Sequence, residues 1–329
     1  QRTIKHGATL LATGGMENRP PLFGLGESKK VITQTEFEQL LSDDRDRLEE
    51  FNQIVMIQCV GCRQADRNYC ARVCCSHAIK NALKLKETNP QMDITIIFRD
   101  IRTYGFSEDY YRQAADSDVK FIRYEPEEKP RVEPAVEEGR PVLRVTLPDY
   151  ILGRKLAIDA DYLVLSAAIV PPEGNKDISQ LFKIALGPDD FFKEAHVKLK
   201  PVEFAADGVF LCGMAHYPKH IEETINQAYG AAGRVVTLLS HETVVASGAV
   251  CEVTEHDCVS CGACISACTY EAIHWRETPS GKKAEVNPAL CKGDGLCCAK
   301  CPTGAVVLRH FTDDEVMDQI DAALSASWS

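Results

Sequence analysis

Short apolar runs alternate with amphipathic stretches through the first two thirds of the chain, a rhythm that predicts a doubly wound parallel sheet flanked by helices. Residues Gly7 to Gly15 read as a buried strand that runs into a glycine turn. Pro20, Pro21, Gly24 and Gly26 then mark a loop. Thr33 and Glu36 have the spacing of a capping box that opens a helix to about Glu50, with Phe37, Leu40, Leu41 and Leu48 for its buried face. The run Ile54 to Gln58 is a buried strand that delivers Cys59 at its C-terminal end, where open α/β sheets hold their ligands. A helix from about Ala71 to Lys86, a strand Ile94 to Phe98, a helix Ser107 to Ala115 and a strand Val119 to Tyr124 complete a β-α-β-α-β order.

Glu125 to Pro141 is rich in proline and charge and reads as a solvated excursion. Val142 to Leu147 and Lys155 to Ile158 read as a hairpin, and Tyr162 to Ala168 as another buried strand. Gly208 to Ala215 has the pattern of a strand and glycine turn, backed by a helix from Ile221 to Leu239. Gly248 to Val253 links this body to a cysteine-dense segment with a different pattern, and Asp313 to Leu324 reads as a final helix. The expected organisation is therefore an α/β body over 1–248, a small α+β module over 249–310 and a C-terminal helical segment over 311–329.

The module carries the most specific chemistry. Cys258, Cys261, Cys264 and Cys268 are separated by two, two and three residues, the spacing with which a loop wraps one iron–sulfur cube and sends its last thiolate to a second. Zinc sites rarely use so compact a run. A second run, Cys291 to Cys301 followed by Pro302, answers the first, so a bacterial-type two-cluster ferredoxin domain is expected. By the usual crossover, one cluster takes Cys258, Cys261, Cys264 and Cys301, and the other takes Cys268, Cys291 and Cys297. Asp294 stands where that second site should have its remaining cysteine. The sequence leaves two readings open: Asp294 ligates the last iron as a hard oxygen donor, or it is no ligand and the site holds a three-iron cluster. Cys298 is a further donor if the loop shifts by one residue.

Composition narrows the function classes. With 329 residues the chain has room for a large core and a small appended module. A net charge of -11 argues against nucleic acid as a partner. The longest apolar run, Tyr162 to Pro172, is too short to span a membrane, and the first residues lack the apolar region of a signal peptide. Fifteen cysteines in pairs and ferredoxin-like spacing read as metal ligands, which predicts a reducing, oxygen-poor, cytoplasmic setting.

Five further cysteines, Cys59, Cys62, Cys70, Cys74 and Cys75, lie between a strand end and a helix start. They suggest a third cluster with one thiol to spare, its charge offset by the helix dipole, with a zinc site or buried free thiols as the alternative. Cys212 reads as a core residue and Cys251 as a structural or incidental residue of the linker. His196, His216 and His220 have no metal-ligand spacing and read as surface residues or neighbours of a flavin.

The segments around Cys59 to Arg63, Tyr69 to Cys75, Ala78 to Lys84 and Arg99 to Phe106 resemble the A subunit of heterodisulfide reductase, as do Leu165 to Pro172, Phe210 to Gly213 and Asn287 to Gly293. The resemblance runs from about Gly7 onward and covers the family's C-terminal part: later segments of a thioredoxin-reductase-like flavoprotein domain, then the ferredoxin domain. No G-x-G-x-x-G fingerprint follows a strand here, so the chain reads as a fragment or one half of a split protein, with the N-terminal half of the flavoprotein as a required partner.

The resemblance implies a cluster held by Cys59, Cys70, Cys74 and Cys75, with Cys62 standing where the family usually has serine. It implies FAD, with Lys80 near the reactive edge of the flavin as the catalytic cation, and with Thr13, Gly14, Gly213, Met214 and Ala215 in the turns that approach it. Met214 stands where many relatives of the wider class carry aspartate. It further implies an electron-splitting oxidoreductase complex with other heterodisulfide-reductase subunits, a hydrogenase or formate dehydrogenase-type donor, and ferredoxin as an acceptor. A relay subunit of a quinone-interacting or aromatic-ring-reducing complex, and a non-catalytic cluster-bearing docking module, are the other functions the same residues allow.

Overall fold

The computed structural model describes residues 3–43, 51–243, 249–288 and 290–326, and the chain divides into two units, 1–239 and 240–329. The expected helix tail from Asp44 to Glu50, Gly248 in the linker and the last residues of the C-terminal segment, 327–329, lie outside the described residues.

In the first unit a parallel five-stranded sheet forms the body, in the order β3 (Val31–Thr33), β10 (Tyr162–Ala167), β4 (Gln53–Val60), β5 (Asp93–Phe98), β6 (Val119–Arg123). Its central strands are apolar on both faces, because helices cover one side and a β-meander the other. Helices α1 (Gln34–Asp43) and α2 (Cys74–Thr88) close one face over Phe37, Ile54, Met56, Ile79, Leu85 and Ile94. The capping box forms: the Thr33 amide donates to Glu36 Oε2 (2.9 Å) and the Glu36 amide to Thr33 Oγ1 (3.3 Å). Helix α3 (Ser107–Asp116) connects β5 and β6 as expected.

Residues 125–141 differ from expectation. Instead of a solvated excursion throughout, Arg131–Glu137 is a strand, β7, in an antiparallel meander with β8 (Arg140–Asp149) and β9 (Arg154–Ala160). Charge obscured the period-two alternation around Val132 and Val136, and Val132 packs with Val145 and Leu147 under the sheet.

A separate parallel pair joins β1 (Thr9–Leu11) to β12 (Val209–Leu211), with β2 (Met16–Glu17) pairing β11 (Ile169–Val170). Both strands of the first pair run straight into glycine turns, at Gly14 (φ 76°) and Gly213 (φ 70°), conformations that favour glycine. Helix α4 (Asn175–Phe182) and helix α5 (Ile221–Leu239) flank this region.

The second unit is α+β. β13 (Cys251–Val253) pairs antiparallel with β16 (Val306–Leu308), and β14 (Ile273–Thr278) forms a hairpin with β15 (Gly281–Val286). Two five-residue helices, α6 (Ala263–Ala267) and α7 (Leu296–Lys300), each follow a left-handed glycine, Gly262 and Gly295, which turns each cysteine loop back on itself. Helix α8 (Asp313–Ala326) closes the unit.

Candidate metal centres and cofactor cavity

In 240–329 the two cysteine runs fold into one core that buries Cys251, Cys264 and Cys297 beside Ile273, Ala284 and Val306. Cys258, Cys261, Cys264 and Cys301 line one small cavity, walled by Val253, Ala284 and Val306. That foursome is the crossover set expected for one cluster, and its apolar walls suit a site that excludes water from iron and sulfide. Burial pushes the Cys264 thiol up.

The second set is arranged differently. Cys268 Sγ accepts the Ala272 amide (3.3 Å), and Cys291 Sγ accepts the amide of Cys251 (3.3 Å). Cys251 Sγ lies 3.4 Å from Cys297 Sγ and 3.7 Å from Cys298 Sγ. Asp294 is exposed and turns its carboxylate to the Leu296 amide (3.1 Å), the first turn of α7. Cys251 is therefore a buried strand residue among the thiols, which agrees with the structural reading and corrects its placement in the linker. The sequence concealed it because the pairing of β13 with β16 brings together residues far apart in the chain.

In the first unit, Cys59 is next to last in β4 with φ 62°, a left-handed conformation unusual away from glycine, at the place where the pairing with β10 shifts register. Cys74 and Cys75 open α2. Cys59, Cys62, Cys74 and Cys75 form one buried cluster with Ala71 and Ala168, and Cys70 is half-buried beside them. A hydrogen bond from Cys62, helped by the Arg63 guanidinium 3.8 Å away, pulls the Cys59 thiol down to about 6. Cys62 is correspondingly pushed up. In the neighbouring pair Cys74 donates to Cys75, which lowers Cys75 and raises the fully enclosed Cys74. Arg99 donates to the Arg63 carbonyl (2.7 Å), and Arg63 pairs with Asp100 (3.0 Å). The chain thus surrounds a thiol-rich pocket with guanidinium groups, as a site that accumulates negative charge requires. Four of the five sequence-predicted thiols pack into this cluster, and Cys70 stands close enough to Cys62 to act on it electrostatically.

A cavity of about 1730 Å³ lies against this pocket, larger than the roughly 300–1,000 Å³ of ordinary ligand sites. Gly14, Gly213, Met214 and Lys80 all line it. Thr13 and Ala215 are not among its lining residues. Thr13 Oγ1 donates to Asn175 Oδ1 (3.2 Å), and Ala215 is packed into the core. Lys80 is exposed at the rim and paired with Glu38, which it holds below the usual carboxylate range. Helix α2 serves both places, with Cys74 and Cys75 in its first turn and Ser76, Ile79 and Lys80 in the cavity wall. Arg72 ties them further: its amide donates to Cys70 Sγ (3.3 Å), and its side chain to Tyr104 (2.8 Å) and Glu223 (2.7 Å), both in the wall.

Sequence reasoning missed Lys219. Its side chain is 1% exposed, lies 4.0 Å from the centre of the Tyr217 ring and donates to Gln227. Burial pulls it down to about 8. A lysine reads as a surface residue by default, and only the tertiary fold shows this one in the cavity wall. Of the three histidines, His220 lines the cavity, His216 is bonded to Glu194 (2.8 Å) and Gln227 (2.8 Å), and His196 caps its own turn.

Paired cysteine loops and a buried thiol pocket on an α/β body define an iron–sulfur protein. Residues 257–305 match the family model of the 4Fe-4S dicluster domain. The iron-sulfur A subunit of the CoB–CoM heterodisulfide reductase of Methanocaldococcus jannaschii is 35% identical over 346 residues, covering 98% of this chain and 51% of that protein. The A subunit of the H(2):CoB-CoM heterodisulfide,ferredoxin reductase of Methanothermobacter marburgensis is 36% identical over 340 residues, covering 98% of this chain and 50% of its own length. Among solved structures, the thioredoxin reductase of T. acidophilum aligns over 71% of this chain and 66% of its own at 14% identity and a TM-score of 0.46, too distant a likeness to carry weight. The chain belongs to the family of heterodisulfide reductase A subunits, and it spans about half the length of the curated relatives it matches. No helix among the described residues is long and apolar enough to cross a membrane.

Proposed function

We propose that this chain is the cluster-bearing part of an electron-transfer flavoprotein subunit in a heterodisulfide-reductase-like oxidoreductase complex. The observation that carries the proposal is the sharing of α2 between the thiol pocket and the large cavity. Cys75 and Lys80 are five residues apart, about 7.5 Å along a helix axis, so a cofactor in the cavity lies within short reach of the pocket.

FAD fits the cavity on three counts. Open space faces Gly14, where a ligand can approach the backbone. Ser76 Oγ is buried in the wall without a hydrogen-bond partner among the described residues. Tyr104 and Phe106 offer exposed aromatic faces. Gly14, Gly213 and Met214 would hold it, with Lys80 and Lys219 as nearby cations. When bound, FAD supplies the exchange between paired and single electrons that cluster chemistry alone lacks. The chain's own residues keep thiolates charged beside Arg63, orient Lys80 through Glu38 and hold a second amine at Lys219. Cys59, Cys70, Cys74 and Cys75 would hold one cluster, and Cys258, Cys261, Cys264 and Cys301 another.

The complex would draw on a hydrogenase or formate dehydrogenase-type donor and deliver electrons to ferredoxin and to disulfide-reducing subunits, in a cytoplasmic setting. The Methanothermobacter marburgensis relative is named for the same two acceptors, heterodisulfide and ferredoxin. The N-terminal half of the flavoprotein would complete the FAD site. The test is anaerobic purification of this chain with and without the missing half of a relative, reading flavin, iron and sulfide per chain. Flavin retained with the added half supports the proposal. Iron without flavin in both preparations overturns the flavin role and leaves a docking and wiring module.

A further inference from the structure

Asp294 leaves the second cysteine loop one thiolate short, and Cys251 stands beside that gap. We propose that Cys251 supplies the fourth thiolate of the second cluster, with Cys268, Cys291 and Cys297. The proposal rests on reading 258–301 as two cluster sites.

Residues two apart on a strand share a face, about 6.8 Å apart along it. Val253 lines the cavity of Cys258, Cys261, Cys264 and Cys301, so Cys251 presents its thiol on that same face, one step further along. There it is 3% exposed, and its sulfur lies 3.4 Å from that of Cys297. Its amide donates to Cys291 Sγ (3.3 Å), so strand and loop are already joined at one ligand. Register with Leu308 on β16 fixes the strand in this position.

The loop itself is moulded onto the segment that leads into β13. A Cβ on Gly293 would lie 2.3 Å from the Ala249 carbonyl oxygen, so only glycine lets residues 291–295 approach so closely. Asp294, in contrast, is exposed and engaged with the Leu296 amide (3.1 Å). Iron in a sulfide cluster prefers the softer thiolate to a carboxylate, so the chemistry favours the buried sulfur over the surface oxygen. Cys298 Sγ lies 3.7 Å from Cys251 Sγ, and the sulfurs of Cys251, Cys297 and Cys298 all lie within 4.8 Å of one another, so Cys298 is the competing donor; Cys251 is preferred because it is the more deeply buried and its amide already holds Cys291 Sγ.

The test compares the anaerobically purified full chain with Cys251→Ala, Cys251→Ser, Asp294→Ala and Cys298→Ser, reading iron per chain and low-temperature EPR of the oxidised protein. The wild type is expected to show no three-iron signal. Cys251→Ala is expected to lose about one iron per chain and gain that signal, while Asp294→Ala and Cys298→Ser match the wild type. Adding Asp294→Cys to Cys251→Ala restores the lost iron. Should Cys251→Ala not fold, Cys251→Ser, which differs by one atom, is expected to shift the EPR line shape of the reduced second cluster. A three-iron signal in the wild type, or one produced by Asp294→Ala or Cys298→Ser and not by Cys251→Ala, overturns the assignment. Iron content and EPR unchanged by Cys258→Ser sink the two-cluster reading itself, a result distinct from one that fails at residue 251.

Discussion

The chain has two thiol-rich regions built in opposite ways. In 240–329 the expected ligands lie in two contiguous loops wrapped around five-residue helices, joined in our proposal by Cys251 on a strand, and the sequence spacing nearly specifies the site. In 1–239 the thiols of the proposed site come from a strand end, a loop and a helix start, set in the body of a large sheet and ringed by Arg63, Arg99 and Arg102. The contrast teaches what each region can tune. A wrapped loop fixes coordination with little scaffold around it. The pocket at the sheet end surrounds its thiolates with fixed positive charge, and so gives the protein control over the charge its cluster can hold.

The largest effects should come from removing thiols on the two sides of this comparison. Cys74→Ser is expected to lose about four irons per chain from the sheet-end pocket while leaving the dicluster signals intact, as iron analysis and EPR will read. A chain that loses all its iron through this change would break the separation between the regions. Next in size, Arg63→Met should lower the reduction potential of the sheet-end cluster and leave the other two unmoved, because it removes a cation 3.8 Å from Cys59 Sγ. A redox titration monitored by EPR checks this.

Gly14→Val should prevent flavin binding and destabilise the chain by about 1–2 kcal/mol, since residue 14 has φ 76° and faces open cavity. Flavin fluorescence and urea unfolding separate the two effects.

Lys219 supplies a pH test. Its native value near 8 lies below the ordinary lysine value of about 10.4, so the unfolded chain binds more protons between these limits. Its contribution to stability therefore rises with pH across that window and is flat below it. Lys219→Met should abolish this rise, measured by urea unfolding at pH 7, 9 and about 10.5. The smallest effect is a control on the scaffold: Thr33→Val removes the capping bond at α1 and should cost about 1 kcal/mol without changing iron content.

What the sequence revealed follows the range of the interactions involved. The capping box, the delivery of Cys59 by β4, the limits of Ile221–Leu239 and the crossover foursome around Cys301 are set by neighbours in the chain or by spacing, and all were legible. Strand β7 was not, because charged residues on its exposed face hid the alternation that packs Val132. Cys251 and Lys219 acquire their surroundings from residues brought in by tertiary folding. Cys251 meets thiols more than forty positions away, and Lys219 is enclosed by a turn folded over α5, a burial that no local pattern signals. Asp294 was legible as a gap in the motif, yet its bond from the Leu296 amide at the start of α7 required the helix to be seen.

The most direct measurement is iron and sulfide per chain in the anaerobically purified protein, with EPR of its reduced and oxidised forms. Three four-iron sites predict about twelve irons, three reduced-cluster signals and no three-iron signal. About eight irons, with only the dicluster signals, would contradict the cluster assigned to Cys59, Cys70, Cys74 and Cys75 and leave the α/β unit without a metal centre.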